Sequence, residues 1–173
     1  MPAGARSIVT LLDAPSRWLS AWLSWLPLAM AGLTVYVVIL RYGFGKGAIT
    51  AQEGVIYLHS TLFMLGASCT LFADEHVRVD VFYRSFSPRQ KAWVNALGHV
   101  LFTLPLCAVI AASSMGYVGE SWIIQESSPE PGGIPAVFLL KTLIPVTAAL
   151  LAIQALAEIC RALSQLVGEP EDG

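Results

Sequence analysis

The ionisable side chains inside or beside the apolar segments of this chain are the ones whose chemistry has to be explained. They are Glu53, His59, His99 and Lys141. An ionisable group in hydrocarbon is costly enough that each is a functional candidate by default. Glu53 opens one apolar run and Lys141 lies about two turns into another. Their depths are similar, so the two are placed to form an ion pair that fixes helix packing. Tyr57 and His59 follow Glu53 on nearby helix faces and extend it into a polar seam. His59 and His99 stand in adjacent antiparallel segments, their depths differing by only about 5 Å at ~1.5 Å per residue. Two imidazoles at matching depth are the pattern that ligates a haem iron axially between helices. The densest cluster of ionisable residues is a connection, Asp74-Glu75-His76-Val77-Arg78-Val79-Asp80-Val81-Phe82-Tyr83-Arg84. Its alternation of valines with His76, Arg78 and Asp80 suits an extended segment with one apolar and one polar face. No GxSxG, HExxH or Walker A motif occurs, and no GxGxxG stands in a strand–helix context, so catalysis of those kinds has no support.

The elements that position these residues follow from composition. Of 173 residues, 55% are hydrophobic and 13% charged, whereas soluble domains carry about 25% charged residues. The chain is therefore an integral membrane protein, and its net charge of −2 gives no reason to expect a nucleic-acid partner. Cys69, Cys107 and Cys160 are odd in number, lie in apolar segments and form no CxxC pair, which predicts membrane-buried thiols rather than a disulfide framework. The predicted fold is an all-α membrane protein with four transmembrane helices, spanning about 18–41, 53–73, 88–120 and 134–160. All 173 residues form one membrane domain in this reading. Residues 1–17 carry Ile8, Leu11 and Leu12 at helical spacing, which predicts a short helix on the membrane surface. The apolar run after it is too long for a signal peptide, no convincing A-x-A cleavage site terminates it, and it is expected to be retained.

Trp18, Trp22 and Trp25 share one face at the start of the first span and form an aromatic belt. Gly43, Gly45 and Gly47 mark a turn. Gly66, Ala67 and Ser68 in the second span, and Ala111 to Ser114 in the third, are small enough to let another helix approach closely. Ser87-Pro88-Arg89-Gln90 predicts a capping box that starts the third helix. With four spans, one side of the membrane holds Arg6, Arg17, Arg78, Arg84, Arg89, Lys91 and Arg161. The other holds Arg41 and Lys46, with Lys141 nearest to it. The positive-inside rule then places both termini and the Asp74–Arg84 connection in the cytoplasm. Four spans with few polar groups are too short for the inverted repeats of a self-sufficient transporter, so a partner subunit is the better reading.

Glu53, then Phe63-Met64-Leu65-Gly66-Ala67, then His76-Val77-Arg78-Val79-Asp80 resembles the pattern of the small integral-membrane subunit of tripartite ATP-independent periplasmic (TRAP) transporters. The Gly-Gly-x-Pro turn at 132–135 and the four spans agree with it, and the similarity covers essentially the whole chain. The His-Val-Arg-Val-Asp block is its most specific part. The resemblance implies a non-enzymatic subunit of the bacterial inner membrane, with no cofactor of its own. Its partners would be a large transmembrane subunit that holds the substrate and sodium sites and a periplasmic substrate-binding protein. The large subunit would move substrate like an elevator against a fixed scaffold that this chain enlarges. Substrates of the family are small organic acids, including dicarboxylates, keto acids and sialic acid, taken up by symport. Glu53, Gly66, Ala67, His76, Arg78, Asp80 and Lys141 are the structural and interface candidates. The alternatives are a haem-bearing four-helix anchor of a redox enzyme, which would show a Soret band, and a generic four-span interaction protein. His76, Arg78 and Asp80 are expected to pin the cytoplasmic end of the helices, with Asp80 pairing an arginine or capping a helix. An Asp80→Asn variant should then assemble and transport poorly, and full assembly and uptake by that variant would contradict the role.

Overall fold

Hydrocarbon leaves no water to satisfy backbone N–H and C=O groups, so a chain this apolar has to satisfy them within helices. The computed structural model describes residues 3–74, 83 and 85–168, and among these every regular element is helical. In chain order they are α1 (Ala3–Leu23), α2 (Leu26–Phe44), α3 (Ile49–Phe72), α4 (Pro88–Gly98), a π-helical turn (His99–Thr103), α5 (Leu104–Ile123) and α6 (Val137–Gly168). Four stretches, Ser7–Phe44, Ile49–Phe72, Pro88–Ile123 and Val137–Val167, are long and apolar enough to cross a membrane. The first, third and fourth spans end later than expected and the second begins earlier, because helices continue through flanking polar residues once their backbone bonds are established. The expectations for His76, Arg78 and Asp80 fall outside the described residues.

The first apolar stretch is divided in a way the apolar run did not disclose. A continuous Ser7–Phe44 helix would have 38 residues, nearly twice what a core of about 30 Å needs. It breaks at Ser24–Trp25, just ahead of Pro27 in the first turn of α2, whose ring nitrogen cannot donate back to the preceding turn. The crossing helix is thus α2, 19 residues long or about 28 Å. Trp18 and Trp22 belong to α1 instead, their rings tilted together with centroids 5.9 Å apart. The surface helix is consequently longer than residues 1–17. It packs on α3 and α6 and barely touches α2. α1 turns Val9, Asp13, Ser16 and Leu23 inward and leaves Ile8, Leu11, Trp18 and Trp22 exposed. An inward face that mixes Asp13 and Ser16 with Val9 and Leu23, and an outward apolar one, suit a helix lying in the membrane interface.

The predicted capping box is present: Gln90 N–H donates to Ser87 Oγ at 3.3 Å, and Ser87 N–H donates to Gln90 Oε1 at 2.9 Å. Further along, Pro105 has no N–H to offer the preceding turn, and the helix widens there into the π turn, closed by Leu104 N–H on the His99 carbonyl.

α6 is the hub. It packs against α1, α3, α4, the π turn and α5, and the principal remaining contact between spans is α2 on α3. The four crossing helices therefore stand in a row, α2–α3–α6–α5, rather than closing around a core. Its alanines make this possible, since Ala148, Ala155, Ala157 and Ala162 are all buried and let neighbouring backbones come close. Small patches anticipated elsewhere are used unevenly. Ser68 and Ser114 are buried, but Gly66 has nothing within 4 Å of where a β-carbon would stand.

What fastens α1 across the row is polar. Arg161 of α6 pairs with both Asp13 of α1 and Glu158, and the fully buried Gln154 donates from Nε2 to Asp13 at 3.1 Å and to Glu158 at 3.2 Å. Cys69 of α3 adds a thiol bond to the Ser16 carbonyl at 3.4 Å. Removing Asp13 takes one of two partners from both the buried Gln154 amide and the half-buried Arg161 guanidinium, an effect of about 1–3 kcal/mol. An Asp13→Ala variant is expected to raise amide exchange across α1 by about tenfold or more while leaving α3 and α6 protected. Unchanged exchange in α1 would show that the ion pair does not hold it.

Candidate functional site

At the end of the row away from α1, the connection between α5 and α6 folds onto the first turns of α3 and α6. Glu53, in the second turn of α3, accepts hydrogen bonds from Ser128 Oγ and, at 2.6 Å, from the Ile134 N–H. Thr50, one turn earlier, donates to the Gly132 carbonyl. The loop also closes on itself: Ser128 N–H reaches the Ile134 carbonyl at 3.2 Å, and Gly133 N–H reaches the Glu130 carbonyl at 2.9 Å. Gly132 has φ +83°, a conformation that favours glycine. At Gly133 a β-carbon would collide with the Ser128 side chain and stand 2.7 Å from Glu53 Oε1. The Gly132-Gly133 pair is therefore required by the geometry of the carboxylate that the loop wraps.

Lys141, in the second turn of α6, is paired with Glu126 of the loop, and its ammonium stands 3.9 Å from the centroid of the Tyr117 ring. Ser121 Oγ donates to the same Glu126 oxygen at 2.6 Å. Trp122 Nε1–H donates to Thr142 Oγ1 at 2.8 Å, and the Trp122 ring meets Phe138 edge-on. The Glu53–Lys141 pair expected from depth does not form. Both Glu53 oxygens are taken by the loop, and the loop itself supplies the acid for Lys141. Depth along a helix says nothing about direction around it, and here direction decides.

Glu126 lies outside the spans, and the hydrogen bonds from Lys141 and then Ser121 hold its carboxyl below the usual carboxylate range. A lowered folded value means the interaction is complete at neutral pH and fades as pH falls through and below that range. The Glu53 clamp is tested more directly by Gly133→Ala. Displacing Ser128 from Glu53 is expected to lower stability, read as a lower Tm of the purified protein and faster proteolysis between α5 and α6. A variant as stable and as resistant as the parent would refute the clamp.

The other sequence candidates separate. Tyr57 and Glu53 line one small cavity of about 160 Å³ under the loop. The Tyr57 hydroxyl is buried with no hydrogen-bond partner among the described residues, and His59 is exposed, so the three form no continuous seam. His99 meets Thr103 through Nδ1 at 3.2 Å. His99 lines a cavity with Leu71 and Leu151, whereas His59 is exposed and stacks on Phe63. Ala67 is half-buried, and the three cysteines carry free thiols. Among the described residues no group of three or more His, Cys, Asp or Glu side chains converges as metal ligands do. The Asp13–Gln154–Glu158–Arg161 cluster was missed from sequence. Gln154 in an apolar run, one turn before Glu158, was the signal available, but its partner lies on α1.

The geometry is that of a helix row stapled at both ends. No curated relative and no solved structure matches the chain. Residues 30–165 match the family described as Tripartite ATP-independent periplasmic transporters, DctQ component. That match runs from the second turn of α2 through nearly all of α6 and includes both loop clamps. The protein accordingly belongs to the family of small inner-membrane components of TRAP transporters.

Proposed function

We propose that this chain is the fixed scaffold subunit of a binding-protein-dependent, ion-gradient-driven transporter that takes up small organic acids. The observation that carries the reading is the family match over nearly the entire helix row, joined to what the row is built for. A path for a hydrophilic substrate needs polar groups converging inside the membrane. Here Lys141, Glu126, Glu53, Asp13, Gln154 and Arg161 are all spent on holding elements of this chain to one another. Substrate and coupling-ion sites, with sodium as the expected ion, then belong to a large membrane subunit. Orientation from the positive residues puts the α5–α6 loop in the periplasm. There, Glu53 and Lys141 would hold it as a stiff surface for the substrate-binding protein, and this chain needs no cofactor and performs no catalysis.

A scaffold stiffens its partner by covering wide flat area, and a row presents two broad faces where a closed bundle presents curved ones. The reading is tested by expressing the transporter with and without this subunit. With it, the large subunit should co-purify, and labelled organic acid should accumulate in proteoliposomes under a sodium gradient. Without it, uptake should be lost although the binding protein still binds its ligand. Full uptake in the absence of this chain, or a wild-type chain that never co-purifies with a large subunit, would overturn the proposal.

A further inference from the structure

His59 remains unexplained by the fold. It lies ten residues into α3, about 15 Å from that helix's start and hence near the middle of a core of about 30 Å. Its ring is exposed and stacks on Phe63 with centroids 6.4 Å apart, and its nitrogens make no hydrogen bond among the described residues. Neutral imidazole carries one donor and one acceptor, and lipid tails can satisfy neither. Other exposed polar side chains of the spans solve this problem within their own helices. Thr34 donates to the Met30 carbonyl, Thr70 to Ala67 and Ser113 to Val109. His59 makes no such bond within α3.

The surroundings of His59 form a pattern. Gln52, Ile56, His59, Phe63, Gly66 and Thr70 recur at alternating four- and three-residue intervals, the spacing of a seam that another helix fills. All are exposed except Gly66, which is half-exposed, and Phe63 at 75% is nearly bare. Open space above Gly66 makes it the point where a second backbone can come closest. The wholly buried Ser68 stands on the opposite side of the same helix, so the seam points away from the contacts that build the row.

We infer that this seam of α3 is the face on which a membrane-spanning helix of the large transporter subunit docks, crossing closest at Gly66 and giving His59 its hydrogen-bond partner in mid-membrane. The inference rests on the scaffold reading above and names the surface through which it operates. The partner helix carries a polar side chain or a freed carbonyl opposite His59 and a small or flat surface opposite Gly66. Lipid does not meet that description, because it leaves the imidazole unpaired. A second copy of this chain would bring two such seams together and is the competing occupant.

The experiment uses the complete transporter in membranes, with a photo-reactive amino acid placed at Ile56 or at Phe63. Adducts with the large subunit are expected from both positions. Adducts with a second copy of this chain, or with lipid alone, would overturn the inference. Gly66→Leu has room within this chain and should leave its own fold and Tm intact, yet should reduce co-purified large subunit by about tenfold. His59→Phe should weaken association by a similar factor, and His59→Gln, which keeps a donor and an acceptor, should restore much of it. If the wild-type chain co-purifies with the large subunit but none of these changes affects it, the seam is wrong and the scaffold reading stands. If the wild-type chain does not co-purify, the functional reading itself has failed.

Discussion

A cation placed in a membrane-spanning helix must find its anion within the protein, because the surrounding hydrocarbon supplies none. α6 carries two such cations, Lys141 near its start and Arg161 near its end, and the structure is arranged around satisfying them. Lys141 draws the α5–α6 loop onto one end of the row through Glu126, and Arg161 draws α1 across the other through Asp13. Between the two cations α6 presents buried alanines to its neighbours. Specific charge pairs at the ends and close, nearly featureless packing along the middle together define one arrangement of helices. Apolar side chains alone would not do so, since they pack no better against each other than against lipid.

This division of labour explains why the row can stay open. A closed bundle gains stability from a shared interior, whereas a row gains little and has to be pinned at its margins. The Glu53 clamp belongs to the same logic, because it ties the start of α3 to the loop that Lys141 has already placed. α1 packs across one end like a strap, with Asp13 and Ser16 turned to the helices and Trp18 and Trp22 outward. What results is a row with little shared interior among the described residues, which suits a part that must remain still while another moves.

The spans, the helicity of the N-terminal stretch and the Ser87 capping box were legible in the sequence because each rests on a local pattern: apolar length, helical spacing, and two residues three apart. The break at Ser24–Trp25 was not, because a proline in a membrane helix can equally kink it, and only the packing of α1 on α3 and α6 separates the outcomes. Pairing failed for a related reason. Glu53 and Lys141 share a depth, but hydrogen bonding is decided by which way each side chain points. The loop, which looked like a Pro/Gly-rich connection, turned out to hold both partners. Asp13 with Arg161 was harder still, since the two are separated by nearly the whole chain. The family was recognisable because a short block such as His-Val-Arg-Val-Asp identifies a lineage without any knowledge of what those side chains touch.

The central claim is that the row behaves as one rigid body during transport. Spin labels at Tyr42, at the end of α2, and at Ile123, at the end of α5, are both on exposed positions and span the row. Their separation should be measured in the complete transporter, with and without substrate-loaded binding protein and a sodium gradient. A rigid scaffold predicts a distance that changes by no more than about 2 Å between conditions, the scale of small shifts between packed helices. A change of many ångströms, tracking the transport state, would mean that this subunit takes part in the movement and would contradict the account.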